Sequence, residues 1–271
     1  MVGAALAATS CTDKFLDEVQ RTSRSTQWLD TPEGLASMSN SLYIAYNYFF
    51  QNESSYCYTN YGTDEFMVAG DNSNGMWNDY DARLGSRVTP TVNSNTQAIT
   101  TFWNTLYQYI ARCNIIISNA EVLDGYADKN TVLGQAYFCR GFSFLFLTMQ
   151  FGDIPLVLEP TEEPTREYTR DPQQDVYAQV ISDLENAYSM LPADASLATK
   201  NKVTKYAAAH YLAKAHLWRA SEINSAWNGS YKDADLTAVI KYADEVIAAH
   251  PLVKEYNDLF GNFTTYDTSI T

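Results

Sequence analysis

A chain of 271 residues, 46% of them hydrophobic, can bury the core of one large domain or of the front part of a bigger one. Eighteen basic residues against 32 acidic ones give a net charge of −14, which repels phosphate backbones and sets nucleic acid aside as a partner. Four cysteines with no Cys-x-x-Cys pair argue against a zinc site or a disulfide framework.

The first element is a small, apolar run, Met1 to Ser10, that closes on Ala8-Thr-Ser and then Cys11. It resembles the lipobox of bacterial lipoproteins, in which the signal segment is removed and the cysteine acylated. Ala8 stands where Leu is usual, and no basic residue precedes the run. Residues 1–10 are therefore predicted as a signal segment, and 11–30 as the lipidated Cys11 with a polar tether. A helical domain is predicted over 31–271.

That domain opens on Thr31, a side-chain cap followed by Pro32 at the first helical position. Leu35, Met38, Leu42 and Ala45 then recur at helical steps to about Phe49. Residues 52–100, rich in Asn, Ser, Thr, Gly and Asp, follow neither helical nor strand period and are read as an irregular excursion holding a short strand or two. From Ile99 to Val122, Phe102, Leu106, Tyr109, Ile110, Asn114, Ile117 and Ala120 trace one helical stripe. A second helix, Thr131 to Gln150, is apolar almost all round and must be buried on several sides. Gly152-Asp-Ile-Pro ends it. After a Pro/Glu/Thr linker over 159–166, helices are predicted from Asp171-Pro172 to Pro192, over 203–220, over 235–249, and in a last piece from Lys254 to Gly261.

These helices pair and repeat. Leu133-Gly134-x-x-Tyr137 matches the first helix of a tetratricopeptide unit, and Ala208-x-x-Tyr211 matches it more loosely. Val180, Leu184, Ala187 and Pro192 have the internal spacing of Val239, Ala243, Val246 and Pro251. The fold class predicted is all-α: a tetratricopeptide-like superhelix of helix pairs carrying one long, irregular, loop-rich excursion.

Three segments together resemble the SusD/RagB family of outer-membrane nutrient-binding lipoproteins. They are Ser10-Cys-Thr-Asp-Lys-Phe-Leu-Asp17; Phe102-Trp-x-x-Leu-Tyr107 with Ile110 and Arg112-Cys-Asn114; and Gly134-Gln-Ala-Tyr-Phe-Cys-Arg140-Gly running on to Gln150-Phe-Gly-Asp-Ile-Pro-Leu156. The resemblance implies a lipid-anchored protein facing the cell exterior. It would sit as a lid on a TonB-dependent, SusC-like outer-membrane barrel and pass it an oligosaccharide or polysaccharide, or else a peptide, with no cofactor and no catalysis of its own. Family members are considerably longer, so the resemblance also implies that this is the N-terminal part. The alternative class is a tetratricopeptide-like scaffold whose only ligands are proteins.

Within the excursion, Trp77, Asn78, Asp79, Tyr80 and Arg83 put an aromatic platform beside amide, carboxylate and guanidinium groups. A sugar needs that mixture, because its ring has an apolar face and a rim of hydroxyls. Trp77 could equally plug the core beneath the loop. Asp64 and Glu65 suit loop capping as well as ligand contact. Arg140, in the most apolar helix, calls for a structural ion pair. Asp183 and Glu185 read as a solvated polar face, and His210 and His216 lie on different faces and make no metal pair. No phosphate loop, nucleophile elbow or zinc motif is present in the sequence.

Each buried methylene of an acyl chain contributes about 0.8 kcal/mol to membrane binding. Cys11→Ala is accordingly expected to release the protein from washed outer membranes. Retention of that variant in a strain lacking the partner barrel would refute the anchor.

Overall fold

The computed structural model describes residues 26–46, 94–161, 167–193 and 201–252, with isolated positions at 60, 63, 65, 66, 163 and 165. The signal segment, Cys11 and the piece from Lys254 to Gly261 lie outside the described residues. Among the described residues the main helices are, in order, α1 Pro32–Ser41, α2 Ser94–Ser118, α3 Lys129–Phe151, α4 Gln173–Met190, α5 Lys205–Ala220 and α6 Lys232–Ala249. Among the described residues there is no strand, only one isolated antiparallel bridge between Ile154 and Asp171. The fold is all-α, as the periodicity predicts.

Local chemistry sets the boundaries. The Thr31 hydroxyl accepts from the Gly34 N–H at 3.1 Å and donates to the Trp28 carbonyl at 2.7 Å, which caps α1 and fastens it to a 3-10 turn over Thr26–Asp30. Thr204 caps α5 in the same way, accepting from the Ala207 N–H. The long second helix begins at Ser94, within the segment read as irregular, and ends at Ser118; a separate 3-10 turn covers Ala120–Leu123. Its buried stripe runs Phe102, Leu106, Tyr109, Cys113 and Ile116, while Ile117 is only half-buried.

Packing follows the predicted pairs. Helix α3 lies against α4 and α5 against α6, with α2 on the other side of α3 and α4 joining the two pairs. Residues 132–136 and 138–148 of α3 are all buried. Its Phe138, Phe142 and Phe146 form an aromatic ladder that takes Tyr211 of α5 edge-on at 5.2 to 6.3 Å. Close approach of α4 depends on Gly134 and Gly141, seven residues apart and so on one face of α3. A methyl group added at Gly134 would come within 2.9 Å of Leu191, and one at Gly141 within 3.0 Å of Leu184. The pair α5 and α6 is less covered: Leu236, Ile240 and Ile247 of α6 are exposed. No helix of the described residues is long and apolar enough to cross a membrane.

Arg140 does find the structural partner its position demands, but that partner overturns one reading. Asp183 does not lie on a solvated face. It is fully buried, and its two oxygens accept from Nε and Nη2 of Arg140 at 2.8 and 2.7 Å. The cause lies in the spacing: Val176, Val180, Asp183 and Ala187 step by four, three and four, so Asp183 belongs to the buried stripe of α4. Glu185 is exposed, as expected.

Removing one member of a buried, hydrogen-bonded ion pair costs about 3 to 5 kcal/mol, because the other charge is stranded. Asp183→Ala is expected to lower the melting temperature by roughly 10 °C. A change within 1 °C in a thermal scan would show that the pair is not structural.

Candidate functional site

The site is made by the way the chain leaves α3. Thr148 donates its hydroxyl to the Gly152 carbonyl at 3.0 Å, and Gly152 itself takes φ 76°, a left-handed turn that side chains rarely tolerate. The chain then runs back along α2. It is clamped at its far end by Asp171, whose N–H donates to the Ile154 carbonyl at 2.9 Å and whose carboxylate accepts from the Leu156 N–H at 2.7 Å. From α2, the Tyr107 hydroxyl donates to the Pro155 carbonyl at 2.8 Å, and the Asn114 amide donates to the carbonyls of Val157 and Glu159 at 2.9 and 3.2 Å.

Between α2 and this returning segment lies a cleft of about 330 Å³, at the small end of ligand cavities. One wall is aromatic. Trp103 and Tyr107 lie 4.8 Å apart between ring centroids, and Phe151 buttresses Trp103 edge-on at 5.0 Å. Pro155 and Val157 form the facing wall, and Tyr168, 48% exposed, stands at the mouth with Glu159 and Thr161.

The polar groups divide into two sets. Asn114 and Tyr107 at the floor are spent on backbone carbonyls, and burial, aided by the charge of Asp171, pushes the Tyr107 phenol far above its ordinary range, so it stays a donor. The hydroxyls of Tyr168 and Thr161 and the carboxylate of Glu159 line the exposed mouth. A cleft with an apolar wall and a hydroxyl-and-carboxylate rim can stack one ring face and accept from hydroxyls at its edge. Among the described residues no group of three His, Cys, Asp or Glu could hold a metal ion.

Trp77, Asn78, Asp79, Tyr80 and Arg83 lie outside the described residues, as does Asp64; Glu65 is exposed. His216 and His210 remain apart: His216 Nδ1 is 2.7 Å from the Asp235 carboxylate, which Arg219 also grips at 2.6 and 2.8 Å, while His210 packs on the edge of Tyr211. Periodicity alone does not single out Trp103 and Tyr107 as cleft-lining groups, although both stand in the Phe102-Trp-x-x-Leu-Tyr107 segment. The available signal was that Trp103 sits one residue off the buried stripe.

Helix pairs around an aromatic core, with an aromatic cleft on the chain that leaves them, define a helical binding scaffold. Residues 14–217 match the SusD-like family described as starch-binding and associating with the outer membrane, and the chain belongs to that family. It is 31% identical over 138 residues to a SusD-like protein of Formosa agariphila, covering 49% of this chain and 27% of that protein. A second SusD-like protein of the same organism is 23% identical over 185 residues, with 66% and 32% covered. The chain thus spans about a quarter to a third of the length of the curated relatives it matches. Among solved structures, a laminarin-binding SusD-like protein superposes with a TM-score of 0.67 at 17% identity, over 88% of this chain and 50% of that one. A SusD homolog from Bacteroides thetaiotaomicron gives 0.66 at 18%, over 88% and 45%. A structure with a xylogluco-oligosaccharide gives 0.64 at 20%, over 83% and 43%.

The two aromatic groups should separate on substitution. Tyr168→Ala removes a half-exposed ring and is expected to leave the melting temperature within about 2 °C, whereas Trp103→Ala, which opens a cavity against Phe151, is expected to lower it by several degrees. Equal effects of the two changes in a melting experiment would contradict this assignment.

Proposed function

We propose that this chain is the glycan-capturing part of a lipid-anchored surface protein that hands an oligosaccharide or polysaccharide to a TonB-dependent, SusC-like barrel, and that it does so by binding without turnover. The match of residues 14–217 to a starch-binding, outer-membrane family carries this reading. Two further observations support it. The cleft presents Trp103 and Tyr107 beside a hydroxyl-rich mouth, and structural neighbours include one that binds laminarin and one solved with a xylogluco-oligosaccharide. The acidic balance of the chain suits a neutral sugar better than a polyanion.

In this reading the helix pairs are the frame, and the ligand is gripped by side chains outside it. Trp77, Asn78, Asp79, Tyr80 and Arg83 form the proposed principal platform and the cleft at Trp103 a second aromatic surface. Neither place asks for a proton transfer or a nucleophile. Stacking needs only a flat apolar face, and direction comes from hydroxyl, amide and carboxylate partners.

Stacking one sugar face on an indole is worth on the order of 1 to 2 kcal/mol at about 25 cal/mol per Å², roughly a five- to thirty-fold change in affinity. Calorimetric titration with laminari-, xylogluco- and malto-oligosaccharides is expected to show binding by at least one class. Trp77→Ala is expected to weaken that binding by this factor while leaving the melting curve in place. If Trp77→Ala instead lowers the melting temperature with unchanged affinity per folded molecule, the residue is core and the platform lies elsewhere. A version of the protein that binds no glycan, yet is retained by a protein partner in pull-down, would favour the scaffold reading.

A further inference from the structure

A second cavity, of about 220 Å³, lies between α1, the first turns of α3 and the chain entering α5, and shares no lining residue with the cleft at Trp103. Its walls follow from helical spacing. Ala36 and Asn40 stand four apart on α1, and Asp128, Thr131 and Gln135 stand three and four apart at the head of α3, so each set shares one face. Lys202, Val203 and Thr204 close the third side.

The base of the cavity holds a buried amide with a donor to spare. Gln135 is 2% exposed, and the Ser39 hydroxyl donates to its Oε1 at 2.7 Å. That bond turns the oxygen toward α1 and leaves Nε2, in a side chain that lines the cavity, with no acceptor among the described residues. Buried donors are nearly always satisfied, so this position calls for an acceptor oxygen that the described residues do not supply. The rim is also uncommitted. Asp128 heads α3 without making a capping bond, and the cation beside it, Lys129, goes to Asp124 instead. Among the described residues neither Asp128 nor Lys202 has an ion-pair partner, and the Asn40 side chain makes no hydrogen bond.

The charges at the rim choose among ligands. An anion drawn to Lys202 meets Asp128, and a cation drawn to Asp128 meets Lys202, so neither gains from both groups. A neutral hydroxyl can accept from Lys202, Asn40 or Gln135 and donate to Asp128. The volume lies below the usual range for drug-sized ligands, which suits a single ring. We propose that this cavity binds one neutral, polyhydroxylated ring, a monosaccharide unit. One of its oxygens accepts from Gln135 Nε2 at the base, its outer hydroxyls meet Asn40, Asp128 and Lys202, and Val132 and Val203 cover its apolar face. Use of the cavity as a glycan subsite rests on the function proposed above; its occupancy by a free monosaccharide does not.

The experiment is an NMR titration of the full chain, isotope-labelled, with D-glucose, D-galactose and N-acetyl-D-glucosamine in turn, read at the side-chain amide signals of Gln135 and Asn40. Both signals are expected to shift saturably with at least one of the three sugars, with a Kd of roughly 1 mM. Gln135→Leu, read at Asn40, is expected to weaken binding about tenfold, and Asn40→Ala, read at Gln135, about threefold. Asn40 is exposed, so its variant is expected to keep the melting curve in place and serves as the test if Gln135→Leu does not fold. No shift of either amide with any of the three sugars overturns the proposal, as does an undiminished response in both variants. Tighter binding of acetate or glycine, titrated as an anion and a zwitterion, overturns the assignment to a neutral ring. Monosaccharide shifts in a protein that gives blank calorimetric titrations with oligosaccharides uphold the cavity and overturn the capture function. Oligosaccharide binding without these shifts overturns the cavity alone.

Discussion

A guanidinium inside the most apolar helix is the constraint around which the described part of this molecule is organised. An unpaired charge there would be untenable, so each donor of Arg140 must find an acceptor. Two go to Asp183 of α4, one nitrogen reaches Asn114 of α2 at 3.0 Å, and the same nitrogen reaches the Leu158 carbonyl at 3.4 Å. Gln179 adds a bond to Asp183 at 2.9 Å, and the Tyr137 ring faces the guanidinium at 5.6 Å. Burial raises the Asp183 carboxyl, offset in part by Arg140 and Gln179. Burial works against the Arg140 charge, but Asp183 more than restores it. Neither charge is tolerable here without the other.

The consequences spread outward from that point. Asn114 is held by Arg140 through its carbonyl oxygen, which leaves its amide to donate to the chain leaving α3. That segment is thereby pinned along α2, and the space between them becomes the aromatic cleft. The cleft's floor is thus built from groups whose hydrogen bonds are already used, while the groups at its mouth face outward. A similar device holds the second pair together, where buried Asp235 of α6 gathers Arg219 and His216 of α5. A buried carboxylate ties the opposed helices in both pairs, and in the second pair Lys205 of α5 also meets Glu245 of α6 at 2.7 Å.

Membership of the SusD-like family fits this division between frame and grip. The helix pairs supply stiffness through close approach at Gly134 and Gly141 and through the Phe138, Phe142, Phe146 ladder. Those features are indifferent to any ligand.

The sequence by itself determined most of the helices among the described residues, their pairing and the family, because helical period and capping by Thr31 are local properties readable residue by residue; the polar first turn of α2, from Ser94, has no such period and reads as irregular. It also showed that Arg140 must be paired. It did not show with what: Asp183 was placed on a solvated face, though its position in the buried stripe of α4 was visible in the spacing. Only the tertiary structure decided that, since a carboxylate on an apolar stripe makes sense once a specific cation from another helix stands opposite. The same holds for the cleft. Trp103 and Tyr107 share one turn of α2, but Tyr168 is some sixty residues on, and what brings it to them is a left-handed turn at Gly152 and a chain return fixed by hydrogen bonds to backbone carbonyls, which carry no side-chain signature.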